Sequence, residues 1–214
     1  MSPEFESSAA RLRHSALQHG LAGQAAQEGP VVPRAKAFLL EAREIQLAAH
    51  RAGLPGDEVA KLRSDAIDIV IDALYLRAGP AAASLTLVAT GGYGRAELCP
   101  LSDIDLLVLV PAHTAETKQA VETILYPLWD VGLKVGQSVR TVAEAADYAR
   151  NDLHLHVALL ETRLLCGERS QFAQLEVRLS ELLSGEAWQP LAKAIVESQR
   201  KRREKAGGSA YLQE

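Results

Sequence analysis

The segment TGGYGRAELCPLSDIDLLVLV (90–110) sets a glycine pair, Gly91 and Gly92, ahead of two aspartates, Asp103 and Asp105, that flank one isoleucine. On an extended strand, residues two apart project to the same side, so the two carboxylates lean together while Ile104 faces the opposite layer. Like charges this close repel, and one of them would ordinarily hold a proton. A hard divalent cation removes the conflict, and Mg²⁺ keeps coordination positions open for substrate phosphates. The spacing therefore predicts a metal platform made by Asp103 and Asp105. The glycines supply the second half, because a GGYG turn lets backbone amides approach an anion closely. If residues 94–99 begin a short helix, its first amides add to that anion site. Arg95 can offer a forked donor to phosphate oxygens, or pair with Glu97 instead. A phosphate cradle facing a carboxylate pair suits nucleotidyl transfer, in which the metal activates a hydroxyl and steadies the departing pyrophosphate. Taken singly, each feature has a plain structural role, as a connecting turn or as two acids at a strand's wet edge. Their combination is what points to chemistry.

These residues need elements to hold them. SLTLVAT (84–90) reads as a short buried strand, and IDLLVLV (104–110) as a second, apolar enough to be central in its sheet. LKVGQSVRT (133–141) alternates and predicts a third strand. Helical spacing is predicted over about 5–21, from Pro33 to Arg51, and after Asp57, a plausible N-cap, with Gly79 and Pro80 as the stop. Further helices are predicted at 114–130, 142–150, 154–165, 170–183 and 186–205. The fold class is α+β (mixed α/β): a helical lead over 1–80, a small nucleotidyltransferase-type core over 81–168, and a helical extension over 169–214.

Composition sets bounds on partners. The chain of 214 residues is 48% hydrophobic and 23% charged with net charge −4, which excludes disordered and collagen-like classes and argues against a nucleic-acid partner. Two cysteines give no disulfide framework, the N-terminus lacks a signal peptide, and no apolar run approaches the roughly 18 residues of a membrane span. A cytoplasmic protein with no membrane partner is expected. Other features have bland readings. His154 and His156 would stand about 200° apart on a helix, poor for one ion. Asp65, Asp68 and Asp72 read as a solvated helix face, RKRREK (200–205) as helix-terminal cations, Cys99 as a small packing residue, and Trp129 and Trp188 as core or interface aromatics.

GGYGRAELCPLSDIDLL, with LWDVGLKVGQSVRT (128–141) and LLETRLLCG (159–167) in the same order, resembles the bacterial PII uridylyltransferase/uridylyl-removing enzymes. These belong to the DNA polymerase β-type nucleotidyltransferase superfamily. The resemblance implies Mg²⁺-dependent transfer of UMP from UTP to a tyrosine of PII, the nitrogen-signalling protein, with release of pyrophosphate. It implies Asp103 and Asp105 as catalytic metal ligands, and Gly91, Gly92, Arg95 and Ser102 on the nucleotide. Relatives continue into phosphohydrolase and ACT domains, so the chain is expected to be a truncated piece without the removing activity. Ala96 stands where relatives carry glycine, a small change. Superfamily enzymes add a third acid; Asp130 and Glu161 are both open for it. That gap leaves two other readings in play: a non-catalytic nucleotide- or partner-binding fragment, and a related protein adenylyltransferase.

Overall fold

A computed structural model describes residues 2–151, 153–182, 184, 188–205 and 207. Three helices lead: α1 (Pro3–Gln18), α2 (Val31–Arg51) and α3 (Gly56–Ala78). There follow β1 (Thr86–Ala89), a single helical turn α4 (Gly91–Gly94), β2 (Ile104–Leu109), α5 (Ala115–Asp130) and β3 (Val135–Arg140). The chain then forms α6 (Val142–Asn151), α7 (Leu153–Leu159), β4 (Arg163–Gly167), α8 (Arg169–Leu182) and α9 (Trp188–Lys205).

The four strands form one mixed sheet in the order β3-β2-β1-β4. β1 runs antiparallel to both β2 and β4, whereas β2 and β3 are parallel, with α5 as their crossover. As the apolar run at 104–110 predicts, β2 is an inner strand. Side-chain alternation then sorts the two faces. Ile104, Leu106 and Val108 join Leu87 and Ala89 in a large core shared with α1, α2, α3 and α5. Leu107, Leu109 and Val88 point the other way, into a smaller core with Ala145, Leu159, Leu175 and Leu179 of α6, α7 and α8. Asp105 belongs to this second face, at the end where the small core stops.

Several expectations change. The segment 154–165 is not one helix: α7 ends at Leu159 and Arg163 begins β4. A short apolar run such as LLETRLLCG carries no period that separates helix from strand, and pairing with β1 decides it. Asp57 is not the cap of α3; Pro55 is, with Asp57 in the first turn, where the helix dipole favours it. The helical turn near the motif occupies 91–94, not 94–99. Asp68 and Asp72 are not merely a solvated face. Asp68 accepts from both Arg163 Nη1 (2.6 Å) and Nη2 (3.2 Å) and from the Tyr93 hydroxyl (2.6 Å). Asp72 lies 3.9 Å from the buried Cys166 thiol, which burial pushes up to about 12. Cys99 is exposed and packs in no core. Trp129 lies on the surface of α5 beside Tyr126, ring centroids 5.6 Å apart. The side chains of His154 and Trp188, and the chain end at Glu214, lie outside the described residues. His156 is buried, its Nε2 without a hydrogen-bond partner among the described residues.

Ala96 is the one non-glycine residue with positive φ (+59°) among the described residues. An L side chain there crowds the following carbonyl, so alanine is strained at this position. Ala96→Gly is expected to raise stability to urea by about 1 kcal/mol. An unchanged or lower urea midpoint would contradict it.

Candidate active site

Asp105 sits on β2, one strand from the glycine turn. Thr90 N donates to Asp105 O (3.1 Å), which ties the end of β1 to the aspartate's own backbone. Gly91 enters α4 at φ +58°, and a β-carbon built there would lie 3.8 Å from Asp105 Oδ2. The carboxylate and the turn are therefore neighbours. The turn's own hydrogen bonds start with Gly94 N to Thr90 O and Arg95 N to Gly91 O. The amides of Gly91, Gly92 and Tyr93 precede them and have no acceptor within the turn.

The turn is anchored from behind. Tyr93 is 1% exposed; its hydroxyl donates to Asp68 of α3 and its carbonyl accepts from Arg163 Nη2 of β4 at 3.2 Å. A β-carbon on Gly94 would fall 1.8 Å from the Glu161 carbonyl oxygen, so the backbone before β4 packs directly on the turn. No other residue type fits there.

Asp103 immediately precedes β2 and is exposed, while Ile104 between the two aspartates is 1% exposed on the opposite face. Burial raises the Asp105 carboxyl above the usual carboxylate range, and the Asp103 charge raises it further. Space for Asp105 comes from its β3 neighbour: a β-carbon on Gly136 would stand 2.8 Å from Oδ1. Two mutually repelling carboxylates of this kind are a donor set that a divalent cation relieves, and Mg²⁺ needs only one or two from the protein. Among the described residues no group of three His, Cys, Asp or Glu is assembled. Neither open candidate for a third acid joins the pair: Glu161 is held by Arg95 Nη1, and Asp130 closes α5.

Arg95 is clamped by acids. Its Nε donates to Glu97 (2.7 Å) and its Nη1 to Glu161, while Nη2 lies under Gly92, 3.8 Å from where a β-carbon would be. Ser102 is exposed in the loop before Asp103, its amide bonded to Cys99 O (3.1 Å).

From Asp105 a cleft of about 380 Å³ runs between the sheet and α6–α7, lined by Thr90, Gly136, Ser138, Arg140 and Leu159 among others. Sequence reasoning missed Thr90, Ser138 and Arg140. The signal was present in the alternation of VGQSVR, where Gly136, Ser138 and Arg140 share the face of Asp105 while Val135 and Val139 pack into the large core.

A profile of the Nucleotidyltransferase domain matches residues 79–202. The chain is similar to the bifunctional uridylyltransferase/uridylyl-removing enzyme of Rhodopseudomonas palustris, 39% identical over 183 residues, 84% of this chain and 19% of that protein. It is similar to the enzymes of the same name from a Bradyrhizobium strain (37% over 225 residues, 99% of this chain, 24% of that protein) and Nitrobacter hamburgensis (38% over 183 residues, 84% and 19%). It spans about a fifth of the length of these relatives. Among the described residues no helix is long and apolar enough to cross a membrane.

Because the folded-state pKa of Asp105 is raised, the native protein binds that proton more tightly than the unfolded chain, and stability falls as pH rises through this window. Without divalent cations, Asp105→Asn is expected to raise Tm at pH 7 by about 1–3 °C, a small shift because the carboxylate reaches solvent. The gain shrinks toward zero below about pH 4, where both states are protonated. A Tm lowered at pH 7 would contradict the raised pKa.

Proposed function

The chain belongs to the Nucleotidyltransferase domain family, and from that premise we propose that it transfers UMP from UTP to a tyrosine hydroxyl of the PII signalling protein, releasing pyrophosphate. The observation that carries the reading is Asp105, set against the Gly91–Gly94 turn, with the Asp103 charge near enough to raise its carboxyl. The names of the similar bacterial proteins support the choice of uridylyl group.

Asp103 and Asp105 would hold Mg²⁺, which when bound supplies a Lewis acid for phosphoryl oxygens. The chain's own groups do the remaining work. The amides of Gly91, Gly92 and Tyr93, which bond no acceptor within the turn, would take phosphate oxygens at a position set by buried Tyr93 and closely packed Gly94. Burial and the Asp103 charge raise the Asp105 carboxyl in the metal-free protein, a cost that a bound cation would remove. Arg95, bound to two carboxylates, braces the underside of the turn and keeps one Nη2 toward Gly92 for an anion.

The absence of a third acid among the described residues favours one competing reading, a domain that binds nucleotide without transferring it. Purified chain with PII, Mg²⁺ and α-labelled UTP or ATP separates these readings, and adenylyl transfer as a third. Label from UTP should enter PII and fall at least about 10³-fold in Asp103→Ala and Asp105→Ala, the scale of losing a metal site. Nucleotide binding without incorporation establishes the non-catalytic reading, and labelling from ATP alone establishes an adenylyltransferase.

A further inference from the structure

Arg140 closes the cleft that begins at Asp105, and no role has been assigned to it above. It ends β3, opposite Leu109 of β2, on the face that carries Gly136 and Ser138. Its guanidinium is oriented twice. Its Cζ lies over the ring of Tyr148 on α6, 3.6 Å from the centroid, and Nε donates to Ser138 Oγ at 2.9 Å. The bond to Ser138 turns the side chain back along the strand toward Asp105, so the charge stands roughly two strand residues, about 7 Å, from the rung of the carboxylate. Among the described residues no acidic side chain pairs with it. By contrast, Arg95 and Arg163 are each bound by acids, and Arg200 by Glu197.

A fixed guanidinium with its outer edge unbonded, in a concave site, is built to receive two anionic oxygens at once. Stacking on Tyr148 holds the fork without consuming its outer hydrogens. We propose that Arg140, positioned by Ser138 and Tyr148, binds the terminal phosphates of the nucleoside triphosphate, the part that leaves as pyrophosphate. This inference rests on the nucleotidyltransferase reading above. Asp105 and Arg140 line the same cleft, four rungs apart along β3. A substrate seated between the carboxylate end and Arg140 places its reacting phosphorus beside Asp105 and its growing negative charge at the guanidinium. Arg140 thus discriminates triphosphates from monophosphates.

Calorimetric titration of the full chain with UTP, UMP and pyrophosphate in Mg²⁺ tests this. Arg140→Gln should weaken UTP and pyrophosphate by about 10- to 100-fold, the weight of a charge-assisted bidentate pair, and leave UMP within about twofold. Arg140→Lys should recover part of the loss, and Tyr148→Leu should show a smaller loss of the same pattern. A circular-dichroism melt confirms folding, and if the Gln variant does not fold, the Lys and Leu variants carry the comparison alone. Unchanged UTP and pyrophosphate binding overturns the proposal while the transferase reading stands. Equal losses for UTP and UMP overturn it in favour of a structural role. Unchanged UTP binding with a raised KM for PII assigns Arg140 to an acidic segment of the acceptor and overturns it too. If the unaltered chain binds no nucleotide at all, the transferase reading itself fails, and the proposal with it.

Discussion

Tyr93 holds the glycine turn in place, and the site has no geometry without it. Its ring is enclosed, its hydroxyl is bonded to Asp68 on α3, and its carbonyl to Arg163 on β4. Burial and the Asp68 charge push the phenol well above its ordinary value, so it stays a neutral donor. Arg163 remains charged because Asp68 offsets its burial, with its guanidinium 5.3 Å from the Tyr93 ring centroid. Three segments separated by up to 95 residues thus meet at one side chain. Each member alone would be a buried polar group at a cost; together the Tyr93 hydroxyl, the Asp68 carboxylate and both Nη atoms of Arg163 find partners, and only Arg163 Nε is left without one among the described residues. Gly94 completes the seat by letting the Glu161 backbone come into direct contact. The backbone of the turn is therefore held in place beside Asp105.

Much of this arrangement was legible in the sequence. The alternation around Ile104 predicts which way the aspartates lean, and the all-apolar run after them predicts an inner strand, because only a strand covered on both faces tolerates it. What could not be read depended on long-range pairing. Asp68 looks like any acid on a helix until Arg163 is brought beside it, and Arg163 itself sits in a run whose strand character comes from β1. Arg140 was hidden differently. Its period-2 partners Gly136 and Ser138 mark a polar face, yet nothing local says that this face lines the same cleft as Asp105; only the parallel register with β2 does.

The two ends of the cleft are electrically opposed. Asp103 and Asp105 repel each other at one end, and an arginine without an acidic partner among the described residues waits at the other. Surface pairs such as Lys61 with Asp65 or Arg150 with Asp147 join charges close in sequence, whereas these two ends lie on neighbouring strands of one cleft. A ligand that carries a metal at one end and free negative charge at the other neutralises both. That is the electrostatic description of a metal-bound nucleoside triphosphate.

The cleft's polar wall is carried by β3, an edge strand, whose Val135 and Val139 anchor in the large core. Ser138 and Arg140 can be exchanged without disturbing the hydrophobic interior, because the alternation insulates one face from the other, while Gly136 is fixed by the space Asp105 needs. A scaffold organised in this way separates what keeps it folded from what it selects. Divergence toward a new leaving group or acceptor would need only a handful of border substitutions, while the anchored turn and the inner strand persist unaltered.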